Sequence, residues 1–177
     1  DFEHVFEAAV GHLRSQFSAR LEAPADIVVS SGGGAPLDAT YYQTIKGVTA
    51  AMVAVREGGS ILVASSCREG LGSEEFQETL DRFDGFEPFR AAILDENNPY
   101  FRIDQWQHEQ MSHATARAHV VLAHSDLSAG DRARLWIPST DSFADAFAQA
   151  MDRHGPGATI AVLPEGPYVL VDCPADN

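Results

Sequence analysis

The residues best suited to chemistry lie in the run "SSGGGAPLDATYYQTIKG". Helical spacing starts near Tyr41, and either Asp38 or Thr40 is predicted to cap that helix. Gln43 and Lys46 are three residues apart, so they project from one side of its first turns. Free backbone N–H groups and the positive end of the helix dipole favour an anion there. An amide beside an ammonium suits a small carboxylate. The alternative is an exposed Gln and Lys on an amphipathic helix.

The glycine run also raises a nucleotide hypothesis. A phosphate-binding Walker loop ends in Gly-Lys-Ser/Thr, which "GGGAPLDAT" lacks. The dinucleotide pattern G-x-G-x-x-G fits Gly32 and Gly34 but has Leu37 in the third glycine position. The next predicted strand ends in Ser65 and Ser66, without the acidic residue that holds a ribose. The sequence therefore disfavours a nucleotide-binding protein, and a tight turn with positive φ explains the glycines equally well.

Other candidate residues carry weaker signals. In "CREG", Arg68 either binds an anion or forms a loop ion pair with Glu69. Trp106 either walls a ligand pocket or is ordinary packing. The chain has seven histidines, but His108 and His113 are five apart and do not share a helix face. We therefore predict no metal site in this chain.

Composition limits the possible partners. The chain has 177 residues and a formal net charge of −14, which argues against nucleic acid and anionic membranes. No apolar run is long enough for a membrane span, and no leader peptide is visible. Two cysteines are too few for a disulfide framework, so a cytoplasmic location is expected. The opening "DFEHVFEAAVGHLRSQF" already has helical spacing, which predicts a piece of a longer protein.

Short β-branched runs alternate with helical segments along the whole chain. This alternation predicts a single α/β domain over 1–177: a Rossmann-like three-layer sandwich with a mostly parallel sheet and helices on both faces. The helix that carries Gln43 is expected to end at Gly58 and Gly59, and Asp104 is expected to cap a later helix. Ligands of such folds lie beyond the carboxyl ends of the strands. The predicted strands are 26–31, 60–66, 119–125 and 158–166.

Three runs together resemble the C-terminal domain of the nickel-dependent lactate racemase family. They are "ADIVVSSGGGAPLDATYYQTIKG", "VREGGSILVASSCREGLGSEEF" and "IAVLPEGP". The resemblance covers most of the chain and is strongest over 25–76. It implies a two-domain 2-hydroxy acid racemase or epimerase that works by hydride transfer to a nickel pincer nucleotide. The N-terminal domain would be the partner that holds this cofactor and the acid/base histidines. No catalytic residue and no bound cofactor are therefore expected in this domain alone, which should be inactive.

The resemblance also assigns roles to residues of this chain. Gln43 and Lys46 match the pair that holds the substrate carboxylate, and Tyr42 matches the neighbouring aromatic residue. Trp106, sixty residues beyond Lys46, matches a tryptophan that lines the family's site. The rival interpretation is a non-catalytic module that binds small carboxylates or phosphates.

The glycine loop departs from the family pattern. The family often has an aromatic residue before the loop proline, whereas this chain has Ala35. The loss of that ring would enlarge the pocket, so the resemblance leaves the identity of the 2-hydroxy acid open. Gly33, Gly34 and Arg68 are further candidates for contact with the substrate. A domain that normally lines a cleft should also expose an apolar patch when it stands alone.

Overall fold

The computed structural model describes residues 1–97 and 99–174. Its α-helices are α1 (Phe2–Phe17), α2 (Tyr41–Ala54), α3 (Glu74–Arg82), α4 (Phe86–Ile93), α5 (Gln105–Arg117), α6 (Ala129–Ala133) and α7 (Phe143–His154). Its strands are β1 (Ser18–Arg20), β2 (Ala25–Ser31), β3 (Val55–Ala64), β4 (His119–His124), β5 (Ile160–Leu163) and β6 (Leu170–Asp172). None of the helices in the described part combines the length and apolar character that a membrane span needs.

Four strands form a central parallel sheet in the order β4-β3-β2-β5. In the central strand β2, aliphatic side chains such as Ile27 and Val28 are buried on both faces because helices cover both sides, whereas Ile160 and Val162 of the edge strand β5 are exposed. One apolar cluster joins the sheet to α2 and α5, and a second joins it to α7. The predicted Rossmann-like three-layer sandwich is confirmed.

The helix that carries Gln43 ends earlier than the glycines suggested. It stops at Ala54, and β3 begins at Val55, so the prediction that Gly58 and Gly59 end the helix was wrong. The β2–β3 register jumps from Ala25–Val55 to Ile27–Ser60, which places both glycines in an irregular stretch of strand. A Cβ on Gly59 would lie 2.8 Å from the Asp26 carbonyl oxygen. Close contact between strands, and not helix termination, explains this glycine.

A second, two-stranded parallel sheet was not predicted. It pairs β1 with β6, two strands of three residues each, and β6 packs near α2. Preceding β1, α1 has the predicted amphipathic pattern but no buried residue. Phe2 is 82% exposed and Phe6 is 60% exposed. The apolar stripe of α1 is therefore left uncovered by the rest of the described chain.

Helix α2 packs unusually close to the end of β2. A Cβ on Gly47 would lie 2.1 Å from the Ser31 carbonyl oxygen, and the Ser30 hydroxyl donates a 2.9 Å hydrogen bond to the Gly47 carbonyl. Gly166 completes the contact, since its own Cβ would lie 2.7 Å from the same Ser31 oxygen. Because Gly47 and Gly166 have no side chain, α2 and the turn at Gly166 can both pack directly against the end of β2.

We predict that Gly47→Ala lowers the free energy of unfolding by at least about 2 kcal/mol, because the new methyl group overlaps backbone that cannot move aside. Urea denaturation monitored by circular dichroism measures this. The matched control is Gly11→Ala, also inside a helix, where a Cβ meets nothing within 4 Å. That control should lose no stability, since alanine favours helix. Equal stability of the Gly47→Ala variant and the wild type would contradict the close contact.

Candidate functional site

The point where strand order reverses lies between β2 and β5, the first and fourth strands of the main sheet in chain order. Dinucleotides bind in this crevice in the Rossmann fold. Here the chain itself fills it. The Ser31 hydroxyl donates a 2.5 Å hydrogen bond to the Pro164 carbonyl, and Gly166–Tyr168 forms a 3₁₀ turn against α2. This crevice is therefore occupied by the protein's own residues, and the sequence analysis also disfavours a nucleotide-binding protein.

The glycine loop folds onto this same turn. Gly33 has φ +89°, and a Cβ there would lie 3.2 Å from the Tyr168 ring and 3.2 Å from Leu37. Gly34 has φ +73° and faces open space. The positive φ values support the turn interpretation. Contact of Gly34 with a substrate stays a prediction, whereas Gly33 approaches the protein's own residues.

Thr40, rather than Asp38, caps α2. The Gln43 amide donates to the Thr40 hydroxyl at 3.3 Å. Asp38 instead ties the glycine loop to the end of β3. Its carboxylate accepts a 3.0 Å bond from the Ser66 amide, and its carbonyl accepts one from the Cys67 amide at 2.9 Å. The loop that precedes the candidate residues is therefore held at both ends.

The expectation of free N–H groups at the start of α2 was wrong. The Tyr41 amide donates to the Gly70 carbonyl at 3.0 Å, and the Tyr42 amide donates to Leu71 at 3.0 Å. The "CREG" loop thus lies across the helix end and occupies the groups that would have bound an anion. Any anion near α2 must be held by side chains.

Cys67 has a structural role beneath this loop. Its side chain is 1% exposed, its φ is +48°, and its sulfur lies 3.3 Å from the Thr44 hydroxyl. Burial raises the pKa of the Cys67 thiol. A thiol that is buried and protonated is a poor nucleophile.

Tyr42 and Trp106 are brought together from positions far apart in the sequence. Their ring centroids are 6.0 Å apart with an interplanar angle of 88°, and Tyr42 also meets Phe76 edge-on at 5.5 Å. Partial burial and the nearby Asp104 carboxylate raise the pKa of the Tyr42 phenol. The two rings are therefore in contact, Trp106 remains 47% exposed, and their part in lining a substrate site stays a prediction.

Asp104 does not cap α5 as expected. It has a left-handed backbone with φ +68°, and its side chain makes no capping bond. Its carboxylate accepts a 2.7 Å hydrogen bond from the Ser73 hydroxyl instead. Because Ser73 also caps α3, this bond ties the starts of two helices together beside the Tyr42–Trp106 pair.

Gln43 and Lys46 follow Tyr42 on the same side of α2. The Gln43 side-chain oxygen is buried and has no hydrogen-bond partner within the described residues. Lys46 forms no ion pair with any residue of 1–97 or 99–174. The Gln43 oxygen is one of four buried side-chain atoms without a hydrogen-bond partner in the described part of the chain, so it can accept a hydrogen bond from a ligand, and its contact with a substrate stays a prediction.

Lys46 lines a cavity of about 730 Å³. Its walls come from α1, α2, the two-stranded sheet and the segment after β5, and they include Arg14 and Arg20. Sequence reasoning missed both arginines: Arg20 lies on β1, which was not predicted, and Arg14 lies on α1, whose position next to α2 depends on the unpredicted pairing of β1 with β6. Of the residues predicted to contact substrate, only Lys46 lines this cavity, and the lining does not include Tyr42, Gln43, Arg68 or Trp106. Arg68 is exposed and makes no ion pair with Glu69, so its contact with a substrate stays a prediction.

The histidines show no clustering of donors. In the described part of the chain, no three His, Cys, Asp or Glu side chains lie close enough to hold a metal ion. His108 is buried and stacks on Phe76, with ring centroids 4.0 Å apart, and it bonds the Phe76 carbonyl at 3.1 Å. Burial lowers its pKa to about 4. His108 is thus a neutral core residue.

The fold and site define a class of protein. It is a parallel α/β domain whose switch-point crevice is closed and whose unpaired polar side chains lie on one flank of α2. Comparison with known families narrows the class. Residues 21–171 match the family model of the lactate racemase C-terminal domain, and the chain belongs to this family.

Individual relatives agree with this assignment. The lactate racemase of Lactiplantibacillus plantarum is 33% identical over 149 residues, which cover 82% of this chain and 34% of that protein. The lactate racemase of Thermoanaerobacterium thermosaccharolyticum is 30% identical over 152 residues, covering 84% and 35%. The chain therefore spans about a third of the length of these relatives.

A solved structure shows the same fold. The lactate racemase apoprotein from Thermoanaerobacterium thermosaccharolyticum superposes with a TM-score of 0.80 at 24% identity. The match covers 92% of this chain and 39% of that chain. At this identity the likeness concerns the fold alone.

We predict that His108 makes stability depend on pH. The pKa of His108 is about 4 in the folded chain, below its ordinary value of 6.5. As pH falls, His108 is therefore protonated in the unfolded chain before it is protonated in the folded chain. Stability should be complete above pH 6.5 and fall by about 3 kcal/mol as pH drops to 4. Urea unfolding of wild type and His108→Gln across this range measures the difference. His113→Gln, an exposed change on the same helix, should keep the wild-type slope. An unchanged slope in His108→Gln would refute the assignment.

Proposed function

We propose that this chain is the substrate-clamping C-terminal domain of a two-domain enzyme that racemises or epimerises a 2-hydroxy acid. The observation that carries the proposal is the buried side-chain oxygen of Gln43, which has no hydrogen-bond partner within the described residues and lies three positions before Lys46 on α2. Membership in the lactate racemase C-terminal family supplies the reaction class. The relatives are lactate racemases, and the proposal covers 2-hydroxy acids in general.

Each of the four residues has a distinct part in this proposal. Lys46 neutralises the substrate carboxylate. The side-chain amide of Gln43 either donates a hydrogen bond to this carboxylate through its nitrogen or accepts one from the adjacent substrate hydroxyl through its oxygen. Tyr42 and Trp106, held edge to face, form an apolar wall beside them. A wall of this kind excludes water when the domains close, which protects hydride chemistry.

The family resemblance implies a nickel pincer nucleotide in the complete enzyme. The residues of this chain do not fit a nickel centre, because no three His, Cys, Asp or Glu side chains converge in its described part. We assign the cofactor and the acid/base residues to the preceding domain, and we derive no step through them. On this division of labour the present chain binds and orients substrate but is inactive alone.

Two exposed apolar surfaces supply the contact with that preceding domain. The first is the stripe on α1, which lies before the region matched by the family model. The second precedes α5, where Leu94, Phe101 and Ile103 are 75%, 73% and 65% exposed close in sequence to Trp106. Exposed apolar groups of this size mark interaction sites. Because Phe101 and Ile103 come within five residues of Trp106 in the sequence, this second surface suits a part of the domain that closes over substrate.

The rival interpretation, a stand-alone module for small anions, depended on free N–H groups at the start of α2. Those groups are bonded to Gly70 and Leu71. The side chains that remain, Gln43 and Lys46, form only part of a carboxylate site. A half-site of this kind needs a second surface to complete it.

We predict that Lys46→Ala in the full-length protein lowers kcat/KM for a 2-hydroxy acid about a hundredfold, the scale of a lost charge-assisted hydrogen bond. Chiral chromatography of product from a single enantiomer measures the rate. Arg153→Ala is the matched control, because this exposed cation lies on α7. Wild-type kinetics in Lys46→Ala would remove Lys46 from the site. Activity of the 177-residue chain alone would overturn the division between domains.

The docking surface has a separate test. The double variant Phe101→Ser/Ile103→Ser should lower kcat about tenfold, because weaker closure admits water. Its melting temperature should stay unchanged, since both side chains are already exposed. Val162→Ser, which alters an exposed residue on β5, is the control and should keep full activity. Equal kcat in the double variant and the control would exclude this surface from closure.

A further inference from the structure

The backbone of Asp104 has an uncommon conformation. Its φ of +68° lies in the left-handed region, which residues other than glycine occupy only where surrounding contacts hold them there. The residue stands directly before α5, where an aspartate usually caps the helix, but its side chain makes no capping bond. The conformation of Asp104 must therefore have a reason other than the start of α5.

The carboxylate of Asp104 accepts hydrogen bonds from two hydroxyl groups that belong to other elements. The Ser73 hydroxyl, at the start of α3, donates to it at 2.7 Å. The second donor is the phenol of Tyr42 on α2. Partial burial, the charge of Asp104 and a hydrogen bond to its carboxylate, in that order, raise the pKa of this phenol. The left-handed backbone thus places one carboxylate within reach of both α2 and α3.

The hydrogen bonds continue from Tyr42 to Trp106. An indole N–H can only donate, so the hydrogen bond between these two side chains runs from Trp106 to the phenol oxygen. An ionised carboxylate can only accept, so the phenol hydrogen is directed at Asp104. Both polar functions of the Tyr42 hydroxyl are therefore used within the protein, and the charge of Asp104 sets the direction of each bond.

Packing confines the ring of Tyr42 from its other sides. A Cβ on Gly72 would lie 2.9 Å from the Tyr42 Cβ, so the backbone of this loop lies directly against the tyrosine. Phe76 meets the ring edge-on at 5.5 Å, and Trp106 does so at 6.0 Å. These contacts hold the body of the ring, whereas the hydrogen bond to Asp104 fixes its polar end and, through it, the indole.

We propose that Asp104 is a positioning residue for the reaction, which holds the Tyr42 phenol by a hydrogen bond and thereby orients the Trp106 indole toward the bound substrate. This inference rests on the proposed function, which puts both rings beside the substrate, and it adds the residue that orients them. Asp104 itself does not touch the substrate. Its charge acts on the reaction only through the two rings.

The test is a double-mutant cycle in the full-length protein with single-enantiomer 2-hydroxypropanoate as substrate. Asp104→Asn keeps the size of the side chain and its tolerance of a left-handed backbone, but removes the charge. It should lower kcat about tenfold and change KM less than about twofold, because Gln43 and Lys46 still hold the carboxylate. Tyr42→Phe keeps the ring and should lower kcat by the same factor. The double variant should be no slower than either single variant, since each change removes the same hydrogen bond.

The matched control is Asp84→Asn, which removes an exposed carboxylate between α3 and α4 and should keep wild-type kinetics. Thermal melting shows that each variant is folded at the assay temperature. Tyr42→Phe tests the same hydrogen bond without altering the left-handed residue, so the inference does not depend on the stability of Asp104→Asn. Wild-type kcat in Tyr42→Phe would overturn it.

The remaining outcomes separate this inference from the function on which it rests. If Lys46→Ala lowers kcat/KM but Asp104→Asn has wild-type kinetics, the proposed function stands and the role of Asp104 fails. That role also fails if the losses from Asp104→Asn and Tyr42→Phe multiply in the double variant, because the two residues then act independently. If Lys46→Ala leaves the kinetics unchanged, the proposed function itself fails.

Discussion

The close contact of α2 with the end of β2 is the constraint on which the rest of the structure depends. Gly47, Ser31 and Gly166 meet at one point, where any side chain at either glycine would overlap the Ser31 carbonyl. This contact fixes how far α2 lies from the sheet and how it is rotated. It buries Tyr41 and Ile45 against the sheet and leaves the flank with Tyr42, Gln43 and Lys46 facing outward. The packing of α2 against the end of β2 therefore determines which of its side chains are available to form the candidate site.

The same contact helps to close the crevice in which a Rossmann fold usually binds its ligand. The turn Gly166–Tyr168 occupies the space between the first and fourth strands, and the "CREG" loop bonds the first amides of α2. In nucleotide-binding proteins of this fold, backbone N–H groups at the start of a helix bind phosphates. Here the corresponding N–H groups form hydrogen bonds within the protein. Ligand recognition is left to side chains. In the described part of this acidic chain, three cations without an ion pair line one cavity.

Much of the fold could be read from the sequence, because its signals are local. β-branched runs predicted all four strands of the main sheet, and alternation with helices predicted that they are parallel. Local patterns gave wrong or no predictions where contacts between residues far apart in the sequence determine the structure. Gly58 and Gly59 resembled a helix stop but serve close packing between strands. The β1–β6 pair joins segments of three residues from opposite ends of the chain, too short for any pattern to reveal.

For the site, the sequence by itself determined the chemistry of α2. Helical spacing singles out Gln43 and Lys46, the family motif adds Tyr42, and Trp106 matches the family only by its distance from Lys46 in the sequence. Only the tertiary structure decided their surroundings. It showed that the helix amides are occupied, that Trp106 contacts Tyr42 across the fold, and that Arg14 and Arg20 share the Lys46 cavity. The physical reason is that spacing along a helix sets which side chains project together, whereas the partners of those side chains come from distant segments placed by packing.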